Sequence, residues 1–219
     1  FTLFSPEGPD SVDIFVLGSW TFQDTATSNI SFNEITIHNS SLSVTGYNLV
    51  NFKGTTLNST SLTSSQCDTI NLENSEFYSC DLNISADFLS TKSNMFAGYG
   101  NITISTENYI SRSDSVMYWN NYFFDGNTQI LGLTYMYNSQ PLTSTYNSYH
   151  IFIDSSSFVE NSNSALYIQN SDSLTIANSS FTLNSGSQGA GINLQVNNYS
   201  KLVNLIGVQN NSSGDGGFV

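Results

Sequence analysis

Apolar and polar residues alternate along this chain in short bursts. Ile35-Thr36-Ile37, Leu42-Ser43-Val44, Ile70-Asn71-Leu72, Ile102-Thr103-Ile104, Ile151-Phe152-Ile153, Leu166-Tyr167-Ile168, Leu174-Thr175-Ile176 and Ile192-Asn193-Leu194-Gln195-Val196 all have period two. That period predicts short strands, each burying one face. Asn-Ser, Asn-Ser-Asp and Gly-containing corners separate them, and these residues favour turns. An earlier strand is expected at Val12-Asp13-Ile14-Phe15-Val16-Leu17, after a lead-in marked by Pro6 and Pro9. No stretch carries a helical period.

One phrase returns: apolar, any residue, Asn, two small or polar residues, then Phe or Leu. Its copies are Ile37-His38-Asn39-Ser40-Ser41-Leu42, Leu72-Glu73-Asn74-Ser75-Glu76-Phe77, Ile153-Asp154-Ser155-Ser156-Ser157-Phe158 and Ile176-Ala177-Asn178-Ser179-Ser180-Phe181, with a degenerate copy at Phe52-Lys53-Gly54-Thr55-Thr56-Leu57. Recurrence at this spacing predicts a solenoid whose units bury their apolar faces against neighbours. The expected fold is all-β, a right-handed parallel β-helix of roughly nine to ten coils stacked at about 4.8 Å. Phe77, Phe96, Phe158 and Phe181 are expected to form an inward stack, and Asn39, Asn74 and Asn178 an inward amide ladder. An antiparallel lectin-type sandwich explains the short strands but not the recurring phrase.

This divides the chain into a lead-in strand region, 1–29, and a parallel β-helix, 30–219. Within the helix, 107–150 is rich in Tyr and Trp and reads as a wider or inserted region. Tyr118, Trp119, Tyr122, Tyr135 and Tyr137 form a candidate contact strip, since tyrosine and tryptophan pack an apolar body while offering a polar tip. The same aromatics also suit a wider core. The chain starts at Phe1 without Met, and Gly214-Asp215-Gly216-Gly217-Phe218-Val219 reads as the opening of another strand, so it is expected to be a piece of a longer protein.

Composition narrows the function. Charged residues make up only 10%, and 17 acids face four bases, Lys53, Lys92, Arg112 and Lys201, for a net charge of -13. Such a surface repels phosphate backbones and anionic membranes. No apolar run is long enough to span a bilayer.

The second half is similar to the polymorphic-membrane-protein repeats of bacterial autotransporter adhesins, which pair Phe-x-x-Asn with a downstream Gly-Gly-Ala-Ile-like motif. Phe158-Val159-Glu160-Asn161 is followed by Ser164-Ala165-Leu166, Phe181-Thr182-Leu183-Asn184 by Gly189-Ala190-Gly191-Ile192, and Val208-Gln209-Asn210-Asn211 by Gly216-Gly217-Phe218-Val219. The resemblance covers about 158–219 and departs in having few true Gly-Gly pairs. It implies a pectin-lyase-like β-helix and an adhesive surface role.

Candidate chemistry is sparse. Asn29, Asn39, Asn58, Asn83, Asn101, Asn178, Asn198, Asn210 and Asn211 satisfy Asn-x-Ser/Thr, though an Asn-, Ser- and Thr-rich chain produces many such sites by chance. Asn58, Asn83, Asn101 and Asn198 are the favoured acceptors, because Asn39 and Asn178 are expected in the inward ladder. Cys67 and Cys80 are expected to pair between neighbouring coils in an extracellular setting, the other reading being two buried thiols.

The motifs of polygalacturonase-like enzymes are missing. Arg112 has only Asp114 and Asp125 near it, and His38 and His150 lack a nucleophile motif. Glu73, Glu76 and Asp81 make a loose acidic group for two-carboxylate hydrolysis. No enzyme activity, cofactor or metal is expected. The function expected is a structural or adhesive glycoprotein of a cell-surface coat, filament or appendage. It would contact other surface proteins, itself or glycans, but not nucleic acid. A carbohydrate-binding adhesin or viral tail-fibre segment is the alternative, and a polysaccharide lyase or hydrolase a lesser one.

Overall fold

A computed structural model describes residues 2–4, 12–25, 28–144, 148–195 and 197–214, with side chains from 18 onward. The Pro6 and Pro9 lead-in and the strand opening at Phe218-Val219 lie outside these residues. Strands and turns account for the described secondary structure, with no helix among the described residues. All pairings among the described residues are parallel, and all but one fall into three ladders, the sides of a stacked-coil solenoid; Ser185–Gly186 and Asn211–Ser212 form a separate two-stranded pair.

The first sheet stacks Thr2–Phe4, Asn29–Asn33 and Leu49–Lys53, then the later halves of Ser61–Glu73, Asp81–Lys92 and Asn101–Arg112. Asn127–Leu131, His150–Asp154, Ser173–Ala177 and Ser200–Val203 complete it. The second begins with the earlier halves of Val12–Gln23 and Ile35–Thr45. It continues through Thr56–Asn58, Glu76–Tyr78, Met95–Ala97, Ser115–Met117, Thr134–Met136, Ser157–Val159, Ser180–Thr182 and Ile206–Val208. The third holds the remaining halves of the long strands, then Asn121–Phe124, Leu142–Ser144, Leu166–Gln169 and Ile192–Gln195. The coil number is close to the nine to ten expected.

Alternation puts one residue in two inside. Leu57, Phe77, Phe96, Val116, Tyr135, Phe158 and Phe181 form one inward column, all buried. The expected phenylalanine stack therefore exists in two pieces. Phe77 and Phe96 stack at 4.9 Å and Phe158 and Phe181 at 4.6 Å. Val116 and Tyr135 separate them. Phe32 and Phe52 make a third stacked pair on the first sheet at 4.6 Å. These spacings match the strand separation, so each ring meets its equivalent in the next coil.

The recurring phrase encodes a corner rather than a whole coil. Gly54, Asn74, Ser155 and Asn178 adopt positive φ between the first and second sheets. Asn39 does the same at the next corner, between the second and third. Asn is among the residues that tolerate this left-handed conformation, and the turn directs its side chain outward. The expected inward ladder of Asn39, Asn74 and Asn178 is thus overturned, because all three are exposed. The residue after each first-corner turn is the one that goes in. Thr55 N–H donates to Ser75 Oγ (3.1 Å), Ser75 N–H to Asn94 Oδ1 (2.9 Å), and Asn94 N–H to Asp114 Oδ1 (2.8 Å). This column pairs the N–H groups that the bend removes from the sheet.

A second buried asparagine column holds Asn161 and Asn184 of the Phe-x-x-Asn motif, with Asn138 three residues after Tyr135 in the same place. Asn138, Asn161 and Asn184 are buried at the second corner, and Asn210 continues their column. Each Nδ2 donates to a carbonyl of the preceding coil, namely Val116, Tyr135, Phe158 and Phe181 respectively. Each Oδ1 from Asn161 onward accepts from the asparagine before it.

Candidate functional site

Cys67 and Cys80 are both buried and free, which corrects the expected disulfide. They lie at different corners. Cys67 Sγ donates to Ser65 and Val44 carbonyls (3.4 and 3.8 Å) and Cys80 Sγ to Leu57 and Tyr78 carbonyls (3.2 and 3.3 Å). Cys80 stands where Thr60 does one coil earlier, whose Oγ1 makes the matching bonds to the Ile37 and Asn58 carbonyls, and Cys67 is in register with Ala86. Burial pushes the Cys80 thiol up to about 11.

The aromatic strip divides. Trp119, Tyr122 and Tyr135 are core residues, at most 2% exposed, so they are removed from the contact surface. Tyr118 and Tyr137 remain, 50% and 41% exposed. They occupy equivalent left-handed positions, φ 61° and 57°, at the second corner of successive coils. Their rings stack at 5.3 Å with 13° between planes. A bulky residue is disfavoured at positive φ, and such strain collects at contact sites. Gly98 holds the equivalent position one coil earlier and brings no side chain to stack on Tyr118. Beside the pair, Met117 and Met136 point out from the second sheet, in register with Ala97 and Val159. All three methionines of the chain, Met95 included, are half-buried on this outer face.

The carboxylates do not converge as the enzyme readings required. Glu73 pairs with Lys92 on the first sheet (3.2 Å), Glu76 accepts from Tyr78 on the second (3.0 Å), and Asp81 accepts from Asn101 on the third (2.7 Å). Arg112, Asp114 and Asp125 likewise lie outside the coil, inside it and at a corner. Asp114 is 1% exposed. Its carboxylate accepts from Thr91 Oγ1 (2.5 Å), Ser111 Oγ (2.7 Å), and Asn94 N–H and Nδ2 (2.8 and 3.0 Å). Burial nevertheless holds its pKa above the ordinary value. Among the described residues no three His, Cys, Asp or Glu are grouped to hold a metal ion.

A different feature appears at the corner between the third and first sheets. Asn101–Arg112 runs round this corner unbroken. One coil later Asp125 and Gly126 make a two-residue turn, and in the coil after that Leu142–Ser144 and His150–Asp154 stand five residues apart in sequence. Coil separations lengthen from 19 or 20 residues to 23 across this stretch, and later to 26, the last step arising between Ser180–Thr182 and Ile192–Gln195 at the second corner. The step leaves a cleft of about 470 Å³ between the short turn and Tyr149. Gly126 has φ 87°, and a Cβ there would lie 1.9 Å from the Thr106 carbonyl oxygen, so only glycine lets the turn sit this close. Sequence reasoning missed the Asp125-Gly126 turn, although Asp-Gly is a turn signal, and its apposition to Tyr149 depends on how the coils stack.

The sequons differ in freedom. Asn29, Asn39, Asn83, Asn178, Asn198 and Asn211 are exposed, and Asn58, Asn101 and Asn210 half-buried. Asn178, Asn101 and Asn198 each donate Nδ2 to an aspartate one coil before, Asp154, Asp81 and Asp172. The expectation that Asn39 and Asn178 are shielded from solvent is corrected.

No protein-family model matches the chain, and no curated protein is significantly similar to it.

Proposed function

We propose that this protein is a structural and adhesive solenoid of a cell surface or extracellular coat, which holds a partner glycan against the Tyr118–Tyr137 corner. The observation that carries the reading is this exposed, stacked tyrosine pair, kept in a strained backbone conformation although it fills no core. Tyrosine supplies flat contact area with little side-chain entropy to lose, and sugar rings stack on such faces. Partly exposed methionines beside it add an adaptable apolar margin. The solenoid suits the role because a rigid ladder of coils fixes the two rings one strand apart. The net charge of -13 favours neutral or basic partners over acidic ones.

The test is a glycan array probed with the wild-type chain and with Tyr118→Ser/Tyr137→Ser. Binding by the wild type and its loss in the double variant, at unchanged melting temperature, supports the reading. Silence across the array, or equal binding by both proteins, overturns it.

A further inference from the structure

The cleft at the third corner is independent of the tyrosine pair, which lies at the second. Thr106, Glu107, Asn108, Asp125, Asn127 and Tyr149 line it. Two of these present polar atoms with no protein partner. Thr106 is only 8% exposed, yet its Oγ1 makes no hydrogen bond. Asn127 Oδ1 is buried and equally unpartnered, although its Nδ2 reaches Asn108 Oδ1 at 3.4 Å. Buried polar atoms are nearly always paired, so two orphans on one wall mark a place where something else supplies the bonds.

The chemistry of the wall selects the ligand. Hydroxyl, amide and carboxylate groups crowd together and no Lys or Arg is among the lining residues. A carboxylate or phosphate would meet Glu107 and Asp125 without a compensating cation. A ligand rich in hydroxyl donors meets acceptors throughout. Tyr149, 60% exposed, offers a ring face at the mouth. The volume falls within the range of small-molecule sites, about 300–1,000 Å³. Asn108 and Asn127 also line a neighbouring groove on the first sheet, beside Ile110 and Phe152, so a chain of sugars has a path out along the coil.

We propose that this cleft binds an uncharged or amine-bearing sugar, with its ring on Tyr149 and its hydroxyls on Thr106, Asn127 and Asp125. Saturation-transfer NMR and calorimetry with galactose, N-acetylglucosamine, glucosamine and galacturonate test it. At least one of the first three is expected to bind, with galacturonate at least tenfold weaker. Tyr149→Ala and Thr106→Val are each expected to weaken that binding at least fivefold. Tyr118→Ser should leave it unchanged, which separates this site from the adhesive corner. Thr106→Val removes an unpartnered hydroxyl and should melt no lower than the wild type. If it does fold poorly, Asp125→Asn at the turn serves instead, again with at least fivefold weaker binding expected. No binding by any neutral or amino sugar at millimolar concentration overturns the proposal. Galacturonate binding as tightly as the others, or undiminished binding by the folded Thr106 or Asp125 variant, also overturns it.

Discussion

Asn161 Oδ1 accepts two hydrogen bonds from Asn138, one from its backbone N–H at 3.0 Å and one from its Nδ2 at 3.2 Å. Asn161 in turn gives its own N–H and Nδ2 to Asn184 Oδ1, at 3.0 and 2.9 Å. One side chain thus serves the coil before it and is served by the coil after it. Asn161→Ala leaves the Asn138 N–H and the Tyr135 carbonyl buried without their bonds. Each such orphan costs about 1–3 kcal/mol, so the variant should lose about 2–4 kcal/mol in urea unfolding. Asn211→Ala, exposed and outside the column, should change stability by less than about 0.5 kcal/mol.

Asp114 makes stability depend on pH. Burial raises its pKa, and the bonds from Thr91, Ser111 and Asn94 oppose that only in part. The native state therefore holds this proton more tightly than the unfolded chain. Its contribution is fully present below the unfolded value of 3.8 and is lost as pH rises through the higher native value. The neighbouring phenols, Tyr109 and Tyr122, are also raised by burial and stay neutral in this range. The stability difference between wild type and Asp114→Asn should fall as pH goes from 3 toward 7. Urea midpoints across that range check it, and a flat difference would show that Asp114 carries no linkage.

Neither thiol should be reactive. Cys67 and Cys80 are buried, and Cys80 is held at about 11, so its thiolate is scarce at neutral pH. Native protein should take up no Ellman's reagent, and unfolded protein should take up two equivalents, one per cysteine. A reducing agent should leave the melting temperature unchanged.

The Tyr118–Tyr137 pair should matter little for stability. Asparagine tolerates positive φ better than tyrosine, a gain of about 1 kcal/mol at each position. Losing the stack costs about 0.5–1.5 kcal/mol. Tyr118→Asn/Tyr137→Asn should therefore unfold within about 1.5 kcal/mol of the wild type while partner binding disappears. A large destabilisation would mean that the rings hold the corner together.

Glycan acceptance should follow the corners. Asn210 donates Nδ2 to the Phe181 carbonyl (2.8 Å) and accepts from Asn184 (2.9 and 3.1 Å), so a glycan there prevents the column from closing. Asn83 and Asn39 are exposed. Glycopeptide mass spectrometry of chain secreted from a eukaryotic host should find Asn83 and Asn39 occupied and Asn210 bare.

Much of the fold was legible because its grammar is local. Period two marks the strands, and the polar phrase after each strand marks a corner. A motif read one coil at a time still left direction undetermined. The asparagine of Asn-Ser-x-Phe and that of Phe-x-x-Asn look alike on paper. The first takes positive φ and turns its amide to water, while the second lies one residue beyond such a turn and points into the core. The aromatic strip was ambiguous for the same reason, since Tyr118 and Trp119 are adjacent and face opposite ways.

Strand spacing, alternation and the recurring polar turns were enough to specify a stacked parallel solenoid, because each coil repeats the same local choice and buries its apolar face only against its neighbours. Which side chains meet depended on the coil-to-coil register. That register sets Tyr118 on Tyr137, keeps Cys67 from Cys80, and sends Glu73, Glu76 and Asp81 to three separate sheets. The cleft beside Thr106 arises where one coil turns in two residues and the next has five residues between its strands, a difference in corner length that acts through stacking alone.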